Sequence, residues 1–241
     1  MDVKITYLDQ SGFYVAVNGL TLVFDYCNNS PVAGKTGLSG GTIGSEDLRG
    51  SSVYVFVSHA HGDHYNPVIL SWQKLNDQIH YILSGDVRPG KDALGVVPDK
   101  EYQTDDFILQ TLKSTDEGVA FLLDINGYTI YHAGDLNWWH WEGEPYPWNE
   151  NMEKEYTSII DTLKGKTIDL AFVPVDPRLE KDCIRGLDYL MHTADVKTAI
   201  PMHFWSQAAY AEKAIRTFPQ TKDYRDRVLA PMQRGQSVEL K

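Results

Sequence analysis

The sequence predicts an α/β protein in which two similar β-sheets pack face to face with helices outside. Three observations lead there. Short strands with period-two or continuous apolar patterns recur along the whole chain, with a few helical patterns between and after them. A strand, an Asn-Gly turn and a second strand occur twice, once around Asn18-Gly19 and once around Asn126-Gly127. No linker or low-complexity tract splits the 241 residues. The length therefore reads as one domain, residues 1–241, with internal pseudo-duplication.

The elements follow in order. Strands are expected at 3–8, 13–17, 20–25, 53–57 and 79–83, then at 107–112, 119–125, 128–132, 168–174, 197–201 and 236–240. Asn-Gly between apolar runs is the strongest short hairpin signal, because a type I′ turn needs positive φ at both central residues. The first arm is two residues longer in the second copy, which keeps the in/out alternation. The hairpins are either unrelated or copies of one unit, and the copied unit gives the two-sheet architecture. The Gly/Ser-rich stretch 34–52 reads as a long loop. Helices are expected at 66–75, 150–164, 183–193 and 206–217, the last with Ser206 as N-cap and Ala211, Ala214 and Ile215 at helical spacing.

Composition narrows the function classes. Lys plus Arg number 22 and Asp plus Glu 33, a formal charge of −11. Such a chain lacks the basic surplus that displaces counterions from phosphate backbones or anionic lipid surfaces, so neither nucleic acid nor membrane is an expected partner. No apolar run approaches the roughly 18 residues of a membrane span. The first residues alternate like a strand rather than a leader peptide. Two cysteines, Cys27 and Cys183, are too few for a disulfide framework. A cytoplasmic protein is the expectation.

Eight histidines are present, three of them within six residues. The apolar run 53–57, apolar enough to be buried on both faces, leads into Ser58-His59-Ala60-His61-Gly62-Asp63-His64. Imidazole nitrogens and carboxylate oxygens bind Zn²⁺ at about 2.0–2.2 Å, so ligands must converge on a point. Alternate residues in a tight loop let His59 and His61 face one ion, and Asp63 and His64 a second. The other reading is a solvated polar loop, in which imidazoles held this close repel once protonated.

In His59-x-His61-x-Asp63-His64 after an apolar strand, the chain resembles the metallo-β-lactamase superfamily of metal-dependent hydrolases. Two further segments fall in that family's order. Tyr131-His132-Ala133-Gly134-Asp135 is similar to the segment whose aspartate, here Asp135, bridges two metals. Ala199 to Trp205 is similar to the segment supplying a last histidine, here His203. The resemblance implies a four-layer αββα sandwich of two mixed β-sheets with outer helices. It also implies one or two divalent metal ions, zinc before manganese or iron, held by His59, His61, Asp63, His64, Asp135 and His203. Asp63 would double as the group that orients water and takes its proton. Within the superfamily the short hairpin start and Ile-Pro-Met-His are most similar to the ascorbate-phosphate lactonase-like branch.

One departure stands out. The family places a histidine in the loop before a Gly and an apolar strand, and here that loop is Lys113-Ser114-Thr115-Asp116-Glu117-Gly118. Ser114 takes the histidine's place. Asp116 or Glu117 could replace the nitrogen with an oxygen, or a water could sit beside Ser114. Otherwise only the set Asp63, His64, Asp135 and His203 holds metal firmly. Unequal occupancy of two sites is the expectation.

Four of the six tryptophans lie between 137 and 148. Trp138, Trp139, His140 and Trp141 read as a pocket wall after Asp135 or as a satellite core under the loop. Asp176 and Arg178, at another strand end, either line the pocket or pair with one another. His80, His132 and His192 read as packed structural residues. The expected function is metal-dependent hydrolysis of a small-molecule ester, lactone or phosphoester, with a homo-oligomer open. The alternatives are a metal-binding or sensor protein that kept the fold and lost turnover, and a nuclease or phosphodiesterase, which the charge of −11 disfavours.

Overall fold

The computed structural model describes residues 2–50, 52–88 and 93–241; Ser51, in the expected 34–52 loop, lies outside them. The strands are β1 (Val3–Asp9), β2 (Gly12–Val17), β3 (Leu20–Phe24), β4 (Ser52–Val57), β5 (Ile79–Ser84), β6 (Ala93–Val96) and β7 (Glu101–Gln103). They continue as β8 (Ile108–Lys113), β9 (Val119–Ile125), β10 (Tyr128–His132), β11 (Thr167–Pro174), β12 (Asp195–Met202) and β13 (Ser237–Leu240). The α-helices are α1 (Trp148–Ile160), α2 (Arg185–Thr193) and α3 (Ala208–Thr217). The chain divides into two compact units, one of residues 1–96 and 232–241, the other of residues 97–231.

The first unit is built on a seven-stranded mixed sheet in the order β13-β1-β2-β3-β4-β5-β6. The strands from β13 to β3 pair antiparallel, and those from β3 to β6 parallel. Asn18 and Gly19 turn the β2–β3 hairpin with φ of 49° and 79°, the positive values a type I′ turn requires. β4 has parallel neighbours on both sides, and its residues 53–57 are buried throughout, as a continuous β-branched and aromatic run demands. One core cluster packs Val53, Val55 and Val57 with Tyr26, Ile69 and Trp72. Ile69 and Trp72 come from Pro67–Lys74, expected as an α-helix but folded as a 3-10 helix. Asn66 caps it by accepting from the Val68 amide, with Pro67 in the first turn. The 34–50 loop contains one short 3-10 turn, Gly37–Gly40.

The second unit carries a six-stranded mixed sheet in the order β12-β11-β10-β9-β8-β7. Its β9–β10 hairpin turns on Asn126 and Gly127, again with φ positive at 53° and 86°, and β10, β11 and β12 run parallel. The two sheets thus share one motif: an Asn-Gly hairpin whose second strand continues into parallel neighbours. Helix α1 buries Met152, Tyr156 and Ile160, spaced by four, and α2 buries Leu187, Leu190 and Met191. In α3 the buried residues are Ala211, Ala214 and Ile215, as the spacing predicts, but the N-cap is Gln207 rather than Ser206 and makes no side-chain cap bond. Among the described residues no helix is long and apolar enough to cross a membrane.

Candidate metal centre

In each unit the chemistry-bearing residues gather at the C-terminal ends of the parallel strands, where side chains are freed from the ladder but still held by it. In the first unit Asp25 follows β3 directly, its backbone in the left-handed region at φ 43°. Its amide donates to the Phe56 carbonyl at 2.9 Å, which ties the end of β3 to that of β4. The carboxylate is fully buried and gathers three donors. The Ser58 amide reaches Oδ1 at 2.7 Å, and the Ser58 hydroxyl and His64 Nδ1 reach Oδ2 at 2.7 and 2.8 Å.

A carboxylate only accepts, so His64 Nδ1 carries the proton and Nε2 is the lone-pair nitrogen. Ser58 spends its single hydroxyl proton on Asp25 and accepts from His59 Nδ1 at 3.0 Å, which fixes the same tautomer on His59. His59 Nε2 then points at His61 Nδ1, 3.0 Å away. The His59 and His64 rings lie 4.1 Å apart. Asp63, about a quarter exposed, holds Oδ2 3.8 Å from His64 Nε2. His59 and His64 are fully buried while His61 is exposed. The loop is pinned by the Ala60 amide, which donates to Asp86 at 2.7 Å.

The second unit repeats the arrangement. Asp176, past the end of β11, is fully buried and accepts from His203 Nδ1 at 3.0 Å. His203 sits past β12 at φ 58° and turns Nε2 toward Asp135, whose Oδ1 is 3.5 Å away. Arg178 grips both carboxylate oxygens of Asp176 through Nε and Nη2. Burial alone would raise the Asp176 carboxyl, but the hydrogen bonds from His203 and Arg178 outweigh it and hold it below its usual 3.8. Three residues of the second unit near this pair, His203, Trp205 and Glu180, have positive φ, as Asp25 does in the first unit. Such backbone is costly and persists where surrounding structure enforces it.

Asp135 follows β10 and is 5% exposed. Its loop is held by Thr115, whose hydroxyl donates to the Asn137 carbonyl at 2.6 Å and accepts from the Asn137 amide at 3.0 Å. In the departing loop Ser114 is buried, and its hydroxyl accepts from the Asp116 amide at 3.1 Å. Carboxylate oxygens of Asp116 and Asp135 lie within 4.8 Å of each other. Glu117 is exposed and outside that grouping.

The tryptophans divide. Trp139 donates its indole N–H to the Asp135 carbonyl at 3.0 Å and stands edge-on to His203. Trp141 lies parallel to Trp139, and Trp139, Trp141, Trp148, Met152 and Arg178 line one cavity with Asp135 and Asp116. Trp138 does not line it; it is buried beside Tyr156 and Tyr189 under the Arg185 guanidinium. His140 is half-buried and also outside that cavity. Asp176 serves His203 rather than the cavity wall, whereas Arg178 both pairs with Asp176 and lines the cavity. His132 is a core residue whose Nδ1 accepts from the Gly134 amide at 3.2 Å. His80 and His192 are exposed, not core residues, with His80 stacked on Tyr54.

Sequence reasoning missed Asp25, Ser58 and Met152, while Trp148 fell within the tryptophan stretch read as pocket wall or satellite core. Asp25 had a signal, a lone carboxylate closing a strand that is apolar but for Thr21. Met152 had only its four-residue spacing from Trp148 at the start of a helix.

The donor chemistry fits divalent metal ions. Imidazoles whose Nδ1 is bound by a carboxylate present Nε2 in one orientation, and oxygen donors lie close by, the arrangement that metal-ligating histidines show.

Comparison with known proteins agrees. Residues 4–139 match the Beta-lactamase superfamily domain, and the chain belongs to that superfamily. A UPF0173 metal-dependent hydrolase of Carboxydothermus hydrogenoformans is 23% identical over 223 residues, covering 83% of this chain and 84% of that one. Among solved structures, Igni18, a metallo hydrolase from Ignicoccus hospitalis, superposes with a TM-score of 0.67 at 17% identity, over 100% of this chain and 99% of its own. The metallo-β-lactamase fold protein YhfI from Bacillus subtilis does so with a TM-score of 0.61 at 14% identity, over 99% of both chains. The fold is therefore that of the metallo-β-lactamases, two mixed β-sheets with helices.

Proposed function

We propose that the protein is a metal-dependent hydrolase of a small-molecule ester, lactone or phosphoester. The observation that carries this is the repeated carboxylate–histidine pair, Asp25 with His64 and Asp176 with His203. Each pair leaves Nε2 as the coordinating nitrogen. The proposed ligands are His59, His61, Asp63 and His64 of the first unit and Asp135 and His203 of the second, the residues that carry the family motifs. Asp116 is proposed as the oxygen donor that stands in for the family's missing histidine, because its carboxylate lies close to that of Asp135. Ser114 acts as the brace and Glu117 takes no part. An added carboxylate moves the preference from zinc toward manganese or iron.

Bound ions of this kind polarise a carbonyl or phosphoryl oxygen and make water acidic enough to ionise near neutral pH. The protein's own residues do the rest. Asp25 and Asp176 hold the imidazoles in one tautomer, and Ser58 passes that constraint to His59. Asp63, the more accessible carboxylate beside His64, accepts the proton that water gives up.

Metal analysis of the purified protein, joined to lactone, phosphodiester, ester and thioester panels, tests the reading. Wild type is expected to carry transition metal and to turn over one panel, while Asp135→Ala loses both. Asp116→Ala is expected to lower metal stoichiometry, and Glu117→Ala to leave it unchanged. A wild type that binds no transition metal overturns the proposal. Metal with no turnover on any panel favours the alternative of a binding or sensor protein on the same fold.

A further inference from the structure

We infer that the tryptophan-lined cavity of the second unit is a subsite for a single planar ring, so that the substrate is a small ring-bearing molecule. This deepens the hydrolase reading and rests on it. The cavity has a volume of about 170 Å³ and is bounded by Trp139, Trp141, Trp148 and Met152, with Asp135 at one side. A cavity of roughly 150 Å³ holds one benzene, so this one has room for a ring between its walls.

Its indole walls are accessible, and Thr115, Asp116, Asp135 and Arg178 complete the lining with polar groups. The Trp139 and Trp141 ring planes lie within 5° of parallel, 6.2 Å apart between centroids. Trp139 is fixed by its bond to the Asp135 carbonyl. Trp148 and Met152 sit one turn apart on α1, so both side chains leave the same helix face. The intervening loop is clipped at its base by Asn149, which accepts from the Trp141 amide at 3.1 Å and donates to the Trp141 carbonyl at 2.9 Å. Trp141 and Trp148 are only half-buried, which leaves indole surface to be covered by a ligand. Stacked or edge-on rings gain most from such walls, and the Met152 thioether suits an aromatic edge. The Arg178 guanidinium lies over the Trp141 ring, 5.6 Å from its centroid, at the edge of the same cavity.

The test uses the full-length protein with ¹⁵N-labelled tryptophan, titrated with benzyl alcohol and separately with 1-butanol. The Trp141 and Trp148 indole signals are assigned from Trp141→Leu and Trp148→Leu. Benzyl alcohol is expected to shift both signals and 1-butanol neither, in metal-loaded and chelator-treated protein alike. Trp148→Leu is expected to weaken benzyl alcohol about tenfold while binding Mn²⁺ as wild type does. Equal response to the two alcohols, no response to either, or unchanged affinity in Trp148→Leu overturns the ring subsite. A protein that takes up no metal yet shows the ring-specific shift sinks the hydrolase reading and leaves the subsite standing. A metal-loaded protein without the shift does the reverse.

Discussion

Replacing Asp25 removes the one acceptor shared by three buried donors: the Ser58 amide, the Ser58 hydroxyl and His64 Nδ1. Leaving a buried donor without its acceptor costs about 1–3 kcal/mol, more beside a charged group. Three such donors set the upper range, and relief from burying the carboxylate itself subtracts from it. Asp25→Ala is therefore expected to lose about 3–5 kcal/mol of stability. Asp25→Asn is expected to lose less, because its carbonyl oxygen still accepts while its amide nitrogen confronts a donor. Urea unfolding followed by tryptophan fluorescence measures both. Metal affinity should fall about ten- to hundredfold even in the asparagine variant, because His64 and, through Ser58, His59 lose the partner that sets their tautomer. A stability loss within about 0.5 kcal/mol for Asp25→Ala, or unchanged metal affinity in Asp25→Asn, refutes the reasoning.

Three further outcomes are expected. Gly186→Ala should destabilise by about 1–3 kcal/mol, since a Cβ there lies 2.1 Å from Asn137 Oδ1 and 3.2 Å from the Trp138 amide; a variant as stable as wild type in urea contradicts that packing. Asp176 has a depressed folded-state pKa, so its ionised form stabilises the fold at neutral pH and that contribution is lost as pH falls below the usual 3.8. The stability gap between wild type and Asp176→Asn should then close in acid, and a gap that stays constant down to about pH 3 argues against it. Burial pushes both the Cys27 and Cys183 thiols up to about 12, so a disulfide reagent at pH 8 should label the native protein slowly, Cys27 before the fully buried Cys183, and rapidly only in urea.

Most strands were legible because each carries its own signal. The all-apolar run 53–57 and the two Asn-Gly turns need no knowledge of their neighbours. The strands that escaped notice, β6 and β7, are short and sit at sheet edges, with Leu94, Gly95, Glu101 and Gln103 exposed. β6 does not alternate, and β7 offers only the three-residue alternation Glu101-Tyr102-Gln103, too short to read as a strand. The helix expected at 66–75 is present as the 3-10 helix Pro67–Lys74, capped by Asn66. His80 lies in a strand, as read, yet on the solvent side of an edge-proximal segment.

The metal-ligand types were legible for a related reason. His59, His61, Asp63 and His64 are neighbours in the chain, so their convergence is local. Asp25 and His64 are 39 residues apart, and Asp176 and His203 are 27 apart. Their pairing depends on which strand ends stand side by side and in what register. Phe24 lies opposite Phe56, which brings Asp25 to Ser58 and the loop beyond it. Pro174 lies opposite Met202, which brings Asp176 to His203. Whether Asp116 or Glu117 comes near Asp135 likewise depends on the fold of their loop, where the Asp116 amide donates to the buried Ser114 hydroxyl. By itself the sequence determined the strands, the turns and the residues able to bind metal, because those depend on chemistry within a few positions. Only the tertiary structure decided which carboxylate orients which imidazole and which tryptophans share a cavity, because hydrogen bonds and cavities depend on distances that chain order does not contain.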